Sequence, residues 1–497
     1  MRSPRWRDGG DIRMRRRIEG LRSVMFGLTV CTAAAQEIPL DQMIAKVEAA
    51  LPDKAPAVPK PGRRVLVFSL TKGYRHSSIP IGVEALRRLG LKTGAYAAEA
   101  SEDPAMLTAS GLAQFDAVIM LSTTGELFDD PAMKQGILDY VRSGKGWVGI
   151  HAATDCFYAW PEYGEMIGGY FDGHPWHESV TLKLDDAQHP VCAAFEGKSF
   201  SIVDEIYQFR HPYSRARLRV LTSLDTAKTD MKKDGIHRAD GDFAVSWVRS
   251  FGKGRVFNCS LGHREEVFWN PTVLKHYLAG IQYALGDLAA DAAPSLAVTP
   301  GWTRLFNGAD LTGWKGLVAD PPARAKMTTE ELAAAQAKAD ELMRAHWKVE
   351  DGVLVFDGQG SHLCTSKDYA DFEMFVDWKI GPGGDSGIYL RGSPQVQIWD
   401  PAQWPVGSGG LYNNEKNAKD PLAVADHPVG RWNTFYIRMT GDRVTVRLNE
   451  KLVVDDVVLE NYWERDKPIY ASGQIELQSH GSKLWFRDIW IRELPSR

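Results

Sequence analysis

The sequence predicts a multidomain protein, with an N-terminal α/β parallel-sheet domain and a C-terminal all-β sandwich. Residues 63–285 alternate continuous apolar runs with helix-like segments, as in a parallel sheet covered by helices on both faces. From Trp302 onwards, short stretches with period-two alternation are separated by glycine turns, which is typical of an antiparallel sandwich or jelly roll. Residues 286–300 are rich in Ala and Pro and are interpreted as a linker. The length of 497 residues suits two or three domains.

The first 35 residues differ in charge from the rest of the chain. Eight arginines there face three acidic residues, and a short apolar run, 24–30, precedes the alanines 33–35. This order is typical of a secretory signal peptide, and the apolar run is too short to span a membrane. We therefore predict a signal peptide at 1–35 and a periplasmic or secreted protein. Residues 36–62 are expected to hold a short helix near 40–51 and a Pro-rich linker.

Removal of residues 1–35 takes away a net charge of +5, so the chain's −4 becomes −9 for residues 36–497. This balance argues against nucleic acid as a partner. The four remaining cysteines match no zinc-binding spacing; they are Cys156, Cys192, Cys259 and Cys364. Export would permit one disulfide, whose pairing the sequence does not assign, and buried free thiols are expected for most of them.

In the N-terminal domain each continuous apolar run predicts a strand and each amphipathic stretch a helix. The predicted strands are 65–68, 117–121, 146–150 and 255–259, and the predicted helices lie near 83–89, 131–143 and 273–285.

In the C-terminal domain the alternating stretches predict strands at 372–380, 387–391, 434–440, 443–448 and 484–491. One helix interrupts them. Thr328 and Glu331 form a capping box, in which Thr is the N-cap and Glu follows three residues later, and the Ala-rich helix runs to about Ala345.

Histidines follow several strands of the N-terminal domain, where parallel sheets place their sites. His76 comes after the first strand, His151 after 146–150 and His263 after the last strand. His174 lies in a glycine-rich loop, and Glu205 follows later. Histidines and a glutamate on adjacent strand ends can bind a metal ion or perform acid–base chemistry, so we expect a polar pocket there.

Residues 63–285 resemble the ThuA-like, or trehalose-utilisation, family. The matching pieces are Arg75-His76, Gly149-Ile150-His151, Gly173-His174-Pro175, Asp204-Glu205 and Gly262-His263. The resemblance implies the fold of class I glutamine amidotransferases and a role in the use of oxidised disaccharides. An amidotransferase carries a nucleophilic Cys in the turn after its central strand. Here His151 stands at that turn and Cys156 lies five residues on, which argues against thiol chemistry.

The stretch 381–400 is the most informative part of the C-terminal domain. A glycine-rich turn leads into a strand in which apolar Ile388 and Leu390 alternate with polar residues. Because side chains alternate between the two faces of a strand, we expect a polar surface that can hold a hydroxyl-rich ligand. The residues expected to form it are Asp385, Arg391, Gln395, Gln397 and Asp400.

Residues 302–495 resemble the 3-keto-disaccharide hydrolase family, whose members imply a concanavalin-like or jelly-roll sandwich. The matching pieces include Leu305-Phe306-Asn307-Gly308, Trp347-Lys348-Val349, Gly410-Leu411-Tyr412, Arg431-Trp432-Asn433, the stretch 475–481 and Phe486-Arg487-Asp488. The chain departs from the family at Asp385 and Asp488, where Asn is common, and at Asn449-Glu450, which replaces an Asn-Gly turn. The Asp385 change leaves the role of that residue open.

The substrate implied by this resemblance defines the chemistry. A ketone at C3 of a glucosyl unit acidifies the C2 hydrogen, so a base can form an enolate, and the glycosidic oxygen on C1 can then leave before water adds. We predict that the catalytic residues are Asp385, Arg391, Asp400, Glu476 and His480. The predicted substrate-binding residues are Gln395, Gln397, Gln478 and Tyr412 here, and His76, His151, His174, Glu205 and His263 in the N-terminal domain. We expect Glu476, Gln478 and His480 on one face of a single strand. We expect Arg391 to hold the enolate oxygen. A divalent cation bound at the enolate would lower the barrier further, and it is the cofactor that this chemistry suggests.

Two other functions fit the same residues. The C-terminal domain could be a carbohydrate-binding module that serves a catalytic N-terminal domain, or a conventional two-carboxylate glycosidase. The expected partner in each case is a small sugar, and the sequence does not define the linkage or the oligomeric state.

Overall fold

The structure, a computed structural model, describes residues 38–495. The predicted signal peptide, 1–35, lies outside these residues. From Leu40 onwards the described chain forms one compact unit, which contains all the sheets described below. None of the helices in the described residues is long and apolar enough to cross a membrane.

The N-terminal domain begins with a helix and continues as alternating strands and helices. Its helices are α1 Leu40–Ala50, α2 Ile79–Thr93, α3 Ala109–Leu112, α4 Pro131–Arg142, α5 Pro161–Ile167 and α6 Pro271–Leu285. Its strands are β1 Arg64–Phe68, β2 Ala97–Ser101, β3 Ala117–Leu121, β4 Thr124–Gly125, β5 Gly146–Ile150, β6 Asp155–Cys156, β7 Tyr170–Phe171, β8 Trp176–Leu184, β9 Phe200–Ile206, β10 Phe209–Arg210, β11 Arg219–Leu224, β12 Ala244–Phe251 and β13 Gly254–Cys259. Short 3₁₀ turns occur at Pro104–Leu107, His151–Thr154, Pro190–Phe195, Thr226–Lys228 and Glu265–Trp269.

Nine strands form the main sheet of this domain, in the order β2-β1-β3-β5-β13-β12-β11-β8-β9. The first five are parallel, and the last four are joined antiparallel. The predicted parallel sheet is therefore confirmed for its apolar core. The antiparallel extension was not predicted, because strands such as β8 have one face exposed and lack a continuous apolar run.

Helix α7, Ser295–Val298, lies in the segment predicted as a linker. The C-terminal domain that follows has helices α8 Pro321–Arg324 and α9 Thr329–His346. Its strands are β14 Trp302–Arg304, β15 Trp314–Gly316, β16 Trp347–Glu350, β17 Val353–Phe356, β18 Leu363–Thr365, β19 Phe372–Ile380, β20 Asp385–Leu390, β21 Ser393–Trp399, β22 Asn433–Thr440, β23 Arg443–Leu448, β24 Lys451–Val458, β25 Glu476–Leu477 and β26 Leu484–Glu493. The capping box is present: Thr328 accepts from the Glu331 backbone, and the Glu331 side chain accepts from the Thr328 backbone.

Two antiparallel sheets form the predicted sandwich. One follows the order β16-β17-β26-β19-β22-β23-β24, with β14 paired to β26, and the other the order β15-β18-β25-β20-β21. Alternate residues of both sheets meet in one apolar core, for example Ile388 and Ile398 from the smaller sheet and Phe435 from the larger. The alternation leaves the other face of the smaller sheet free for polar side chains.

The two domains share a buried charged contact. Arg217, which precedes β11, donates to the carboxylate of Asp377 on β19, and both side chains are almost fully buried. Arg487 on β26 also contacts Asp377, at 3.2 Å, and pairs with Glu165 of α5 through two bonds of 2.9 Å. These bidentate and shared contacts fix how the two sheets meet.

All four cysteines of the described chain are buried free thiols, as expected for most of them. Burial raises the pKa of each thiol to about 12, so none is poised as a nucleophile.

Candidate functional sites

The predicted histidine cluster of the N-terminal domain forms at one edge of the parallel sheet. His76 follows β1, His151 follows β5 and His263 follows β13, and Glu205 reaches the same point from β9. One ligand atom from each of these four side chains lies within 4.8 Å of the other three. The strands β1, β5 and β13 belong to the parallel part of the sheet and end at the same edge of it, whereas Glu205 reaches the cluster from β9, the last strand of the antiparallel part.

Glu205 is at the centre of the cluster. Its two carboxylate oxygens lie 3.1 Å from His263 Nδ1 and 3.2 Å from His174 Nδ1, and 3.8 Å from His151 Nε2. The carboxylate is almost buried, whereas His174 is half exposed and faces solvent. The cluster is therefore closed at its base and open on the side of His174.

His151 occupies a special backbone position. It has a positive φ of 55° in the turn directly after β5, a conformation that a non-glycine residue adopts at a cost and that is concentrated at functional sites. Its Nδ1 lies 2.9 Å from the carbonyl oxygen of Ser260, and the Tyr207 hydroxyl lies 3.2 Å from its Nε2. Because a carbonyl only accepts, Nδ1 carries the proton and the Nε2 lone pair faces the cluster.

Burial determines the charge of the cluster. It lowers the pKa of His76 to about 4 and that of His151 well below its ordinary value, so both imidazoles are neutral at pH 7. Burial also opposes ionisation of Glu205, but contact with His263 and the other histidines outweighs it and lowers the Glu205 pKa. The hydrogen bond to Glu205 raises the pKa of His263 against the cost of its burial.

The second candidate site is the outer face of the smaller sheet in the C-terminal domain. Gln395 donates to Gln397, and Gln397 Nε2 donates to Asp385 Oδ1 at 2.8 Å. Gln478 Nε2 lies 3.3 Å from the Tyr389 hydroxyl on the neighbouring strand. The three glutamines predicted for the polar surface therefore lie on one face, but each is at most 8% exposed, and the oxygens without a hydrogen-bond partner among the described residues are Gln395 Oε1 and Gln478 Oε1.

Asp385 and His480 meet at one end of this face. His480 Nδ1 lies 3.4 Å from Asp385 Oδ2, with the imidazole 59% exposed and the carboxylate 19% exposed. Burial raises the pKa of Asp385, although His480, Gln397 and Trp399 act in the opposite direction. His480 was predicted on the same strand as Glu476, but β25 ends at Leu477, and His480 reaches Asp385 from the loop that follows.

Glu476 lies at the other end of the same face. It is paired across the sheet with Tyr389 and is 1% exposed. Burial raises its pKa to about 8, and the charge of Arg324 on α8 opposes this rise. The carboxyl group is therefore mostly protonated at neutral pH and acts as a hydrogen-bond donor.

Two of the predicted catalytic residues are not on the polar face. Arg391 is in the tight turn between β20 and β21, with a φ of 55°, and its guanidinium donates to the Asp371 carboxylate at 2.6 Å and to two backbone carbonyls. Asp400 accepts from the backbone nitrogens of Gly383 and Ala402, at 2.7 and 2.9 Å, and so caps a turn. Arg391 is in phase with Asp385, and the turn after β20 takes it off the face, whereas Asp400 is three residues from Gln397, so period two itself puts it on the opposite face.

The remaining predicted residue, Tyr412, is 46% exposed and lies edge-on to Trp399, with ring centroids 4.8 Å apart. Trp399 also stacks on Trp404 at 5.5 Å. These rings stand beside Asp385 and offer the flat apolar surface on which sugar rings pack. Three further aromatic residues were not predicted as site residues: Tyr389, Trp399 and, in the other site, Tyr207. Tyr389 on β20 and Trp399 on β21 alternate in phase with the predicted polar residues, and Tyr207 follows β9 directly, so their positions in the sequence could have indicated them.

A cavity of about 1260 Å³ lies between the domains. Its wall includes Arg210, His211, Asp426, Arg431 and Arg487. None of the predicted site residues belongs to this wall, so the cavity is separate from both candidate sites.

Comparison with known families gives each domain a family. Residues 64–284 match the model of the ThuA family, described as trehalose utilisation, and residues 301–492 match that of the 3-keto-alpha-glucoside-1,2-lyase-like domain. The chain is a ThuA domain joined to a 3-keto-alpha-glucoside-1,2-lyase-like domain. Both resemblances drawn from the sequence motifs are thereby confirmed, and the C-terminal domain belongs with hydrolase-like enzymes named for 3-keto-glucosides.

Individual relatives are distant. A 3-keto-disaccharide hydrolase of Bacteroides thetaiotaomicron is 22% identical over 249 residues, covering 39% of this chain and 79% of that protein. A crystal structure described as a glycosyl hydrolase from Parabacteroides distasonis is 26% identical, covering 39% of this chain and 84% of that one, with a TM-score of 0.31. A ThuA-like protein from Bacteroides uniformis is 23% identical, covering 46% of this chain and 94% of that one, with a TM-score of 0.39.

Proposed function

We propose that the lyase-like domain cleaves 3-keto-glucosides at the polar face of its smaller sheet, by proton abstraction at C2 followed by elimination. The observation that carries this proposal is the Asp385–His480 pair, with 3.4 Å between Oδ2 and Nδ1, at the edge of an amide-rich face. The family match of residues 301–492 supports the substrate class.

The spacing along β20 decides which groups act together. Asp385 and Tyr389 are four residues apart, which is about 13 Å along a strand, and Glu476 is paired with Tyr389. The C2 hydrogen and the glycosidic oxygen of one sugar are only a few bonds apart, so an acid and a base must both reach them from nearby. Asp385 and His480 meet this requirement, and Glu476 does not.

The reaction then proceeds in two steps. Asp385 takes the C2 proton, and the electron pair of that C–H bond forms an enolate with the C3 ketone. As the enolate collapses to a C1=C2 double bond, the C1–O bond breaks, and protonated His480 delivers its proton to the departing alcohol. Water then adds to C1 and gives its proton to His480, while Asp385, whose carboxyl proton exchanges with solvent, protonates C2, which gives net hydrolysis; release before this addition would make the enzyme a lyase.

The rest of the face serves to hold the substrate. Gln397 donates to Asp385 and so orients its carboxylate, and the neighbouring Gln395, whose Oε1 has no hydrogen-bond partner among the described residues, can bind a hydroxyl of the oxidised ring. Glu476, Tyr389 and Gln478 lie towards the other end of the face, where a protonated carboxyl and a phenol can bind the second sugar unit. Arg391 has no part in this scheme, since Asp371 and backbone carbonyls hold its guanidinium.

The test is proton NMR of the full chain with a 3-keto-disaccharide in D₂O. We expect release of the second sugar and deuterium at C2 of the oxidised product. His480→Ala and Asp385→Asn should each lower kcat by about 100- to 10,000-fold.

A matched control exists in the same domain. His346 and Asp357 form another surface imidazole–carboxylate pair, with Nδ1 and Oδ2 3.0 Å apart, and His346→Ala should leave turnover unchanged. Binding of the ketosugar without turnover by the unmodified chain would reject the enzyme and favour the carbohydrate-binding module. Release without deuterium at C2 would reject the elimination route.

Export belongs to the same proposal. Eight arginines and a short apolar run in the first 35 residues support it. Fractionation of the expressing bacterium, followed by N-terminal sequencing of the mature chain, tests it: we expect a periplasmic or secreted protein that starts near Gln36, and a cytoplasmic chain that retains residues 1–35 would contradict it.

A further inference from the structure

We infer that His76, His151, His263 and Glu205 bind one first-row transition-metal ion in the ThuA domain, in a centre separate from the proposed cleavage site. The cleavage site lies on the other domain, and no step of the proposed reaction uses these residues. The two proposals can therefore fail independently.

The distances suit a single ion. Four candidate ligand atoms, one from each side chain, lie within 4.8 Å of one another. Bonds of about 2.1 Å to nitrogen and oxygen place the ligands of a tetrahedral ion about 3.4 Å apart, so the widest pair of ligand atoms needs to close by about 1.4 Å. Each ligand comes from a different segment: His76 precedes α2, His151 and His263 follow β5 and β13, and Glu205 is in β9.

An unsatisfied polar atom points to a missing partner. His76 is 5% exposed, and its Nδ1 has no hydrogen-bond partner among the described residues. Most buried polar atoms of native proteins have a hydrogen-bond partner, because leaving one without a partner is destabilising. The His76 ring lies edge-on to both His151 and His263, with centroids 4.4 and 5.2 Å away, so an ion among the three rings would satisfy it.

The surroundings of the cluster orient its ligands, as the outer shell of a metal site does. The Ser260 carbonyl holds His151 Nδ1, which leaves Nε2 as the coordinating nitrogen. Asp204 accepts from the backbone nitrogens of Gly262 and Arg264, at 2.7 and 3.0 Å, and so fixes the loop that presents His263. The Tyr207 hydroxyl now at His151 Nε2 would turn towards the ion's remaining ligand.

The ligand types select the kind of ion. Three imidazoles and one carboxylate favour Zn²⁺, Co²⁺, Fe²⁺ or Mn²⁺ over Mg²⁺ and Ca²⁺, which prefer oxygen. The half-exposed His174 marks the open side, where water or an oxygen of a small hydroxy-ketone could complete the coordination. Such a ligand is chemically close to the ketosugars proposed for the other domain.

The experiment measures metal, not turnover. The purified full chain is stripped with a chelator and titrated with Co²⁺, and bound ion is counted by mass spectrometry while the visible d–d spectrum is recorded. We expect one ion per chain with a spectrum of low-symmetry nitrogen and oxygen ligation. His76→Ala, His263→Gln and Glu205→Gln should each weaken Co²⁺ binding by at least about 100-fold.

Two variants serve as controls. His237→Ala removes an exposed histidine of the same domain, paired with Asp172 at 3.0 Å, and His480→Ala removes the histidine of the cleavage site. Both should bind Co²⁺ as the unmodified chain does. Since His263 is partly exposed, its variant tests the site even if the buried variants fail to fold. No bound ion in the unmodified chain, full binding by folded His263→Gln, or loss of binding only in His480→Ala would overturn the inference.

Discussion

Glu476 is buried at the polar face with a carboxyl pKa raised to about 8 by its burial, from an ordinary value of 4.5. Between these two values the unfolded chain releases this proton while the folded chain keeps it. The free energy of unfolding contributed by this group is therefore full below about pH 4.5 and falls as the pH rises through about 8.

Replacement of Glu476 by Gln should remove this pH dependence. We expect Glu476→Gln to match the unmodified chain in Tm near pH 5 and to exceed it increasingly towards pH 9, as measured by thermal unfolding in a series of buffers. Equal Tm differences at all pH values would show that the carboxyl titrates normally in the folded chain.

Arg391 illustrates how a residue can serve stability where the sequence suggests catalysis. Its guanidinium is 3% exposed and pairs with Asp371, whose side chain is 8% exposed. Arg391→Ala would leave a buried carboxylate without its cation, so we expect a loss of about 3–5 kcal/mol in the free energy of unfolding, measured with urea. The folded fraction should keep its kcat; a stable variant with a strongly reduced kcat would instead restore the catalytic assignment.

Helix α9 packs closely against strand β15. Gly316, the last residue of β15, lies against α9 so closely that an added Cβ would be 2.1 Å from the Ala339 carbonyl oxygen. The helix also binds the strand edge through Gln336 and Asp340, which bond Gly316 backbone atoms at 2.8 and 3.0 Å. The lack of a side chain at 316 thus positions the helix on the sheet that carries the polar face.

Gly316→Ala should displace α9. We expect a loss of about 1–3 kcal/mol in the free energy of unfolding and faster amide hydrogen exchange along the helix. Gly381→Ala is the matched control, since nothing lies within 4 Å of the position that its Cβ would take, and it should behave as the unmodified chain. Unchanged exchange in α9 of Gly316→Ala would contradict the tight packing.

At the scale of the whole molecule, the charged contact between the domains determines whether they unfold together. Asp377 accepts from Arg217 of the other domain, from Arg487, and from the Thr434 hydroxyl at 2.7 Å. The exposed pair Arg431 and Glu162 also crosses between the domains, at 4.0 Å. Removal of one partner from a buried ion pair destabilises a protein far more than removal of one partner from a solvent-exposed pair.

Asp377→Ala should uncouple the domains. We expect two calorimetric transitions in place of one, and a loss of about 3–5 kcal/mol, because Arg217 and Arg487 remain buried without their carboxylate. Arg431→Ala should change the melting profile by less than about 1 kcal/mol. A single unshifted transition in Asp377→Ala would show that other contacts join the domains.

Much of this molecule follows from local sequence. The continuous apolar runs at 117–121 and 146–150 coincide with β3 and β5, and the alternating stretch 372–380 coincides with β19. The capping box predicted the start of α9. The alternation of strands and helices predicted that His76, His151 and His263 lie at one edge of the sheet. These features depend on periodicity and on neighbours within a few residues, which a sequence displays directly.

Only the tertiary structure decided which polar groups meet. Arg391 lies in the turn after β20 and is therefore not on the polar face. His480 lies in the loop after the two-residue strand β25 and contacts Asp385 from there. The contact of Arg217 with Asp377 joins residues 160 positions apart. Such pairings arise from the way sheets curve, turn and pack, and the free energy that fixes them is distributed over the whole core, so no local pattern of residues specifies them.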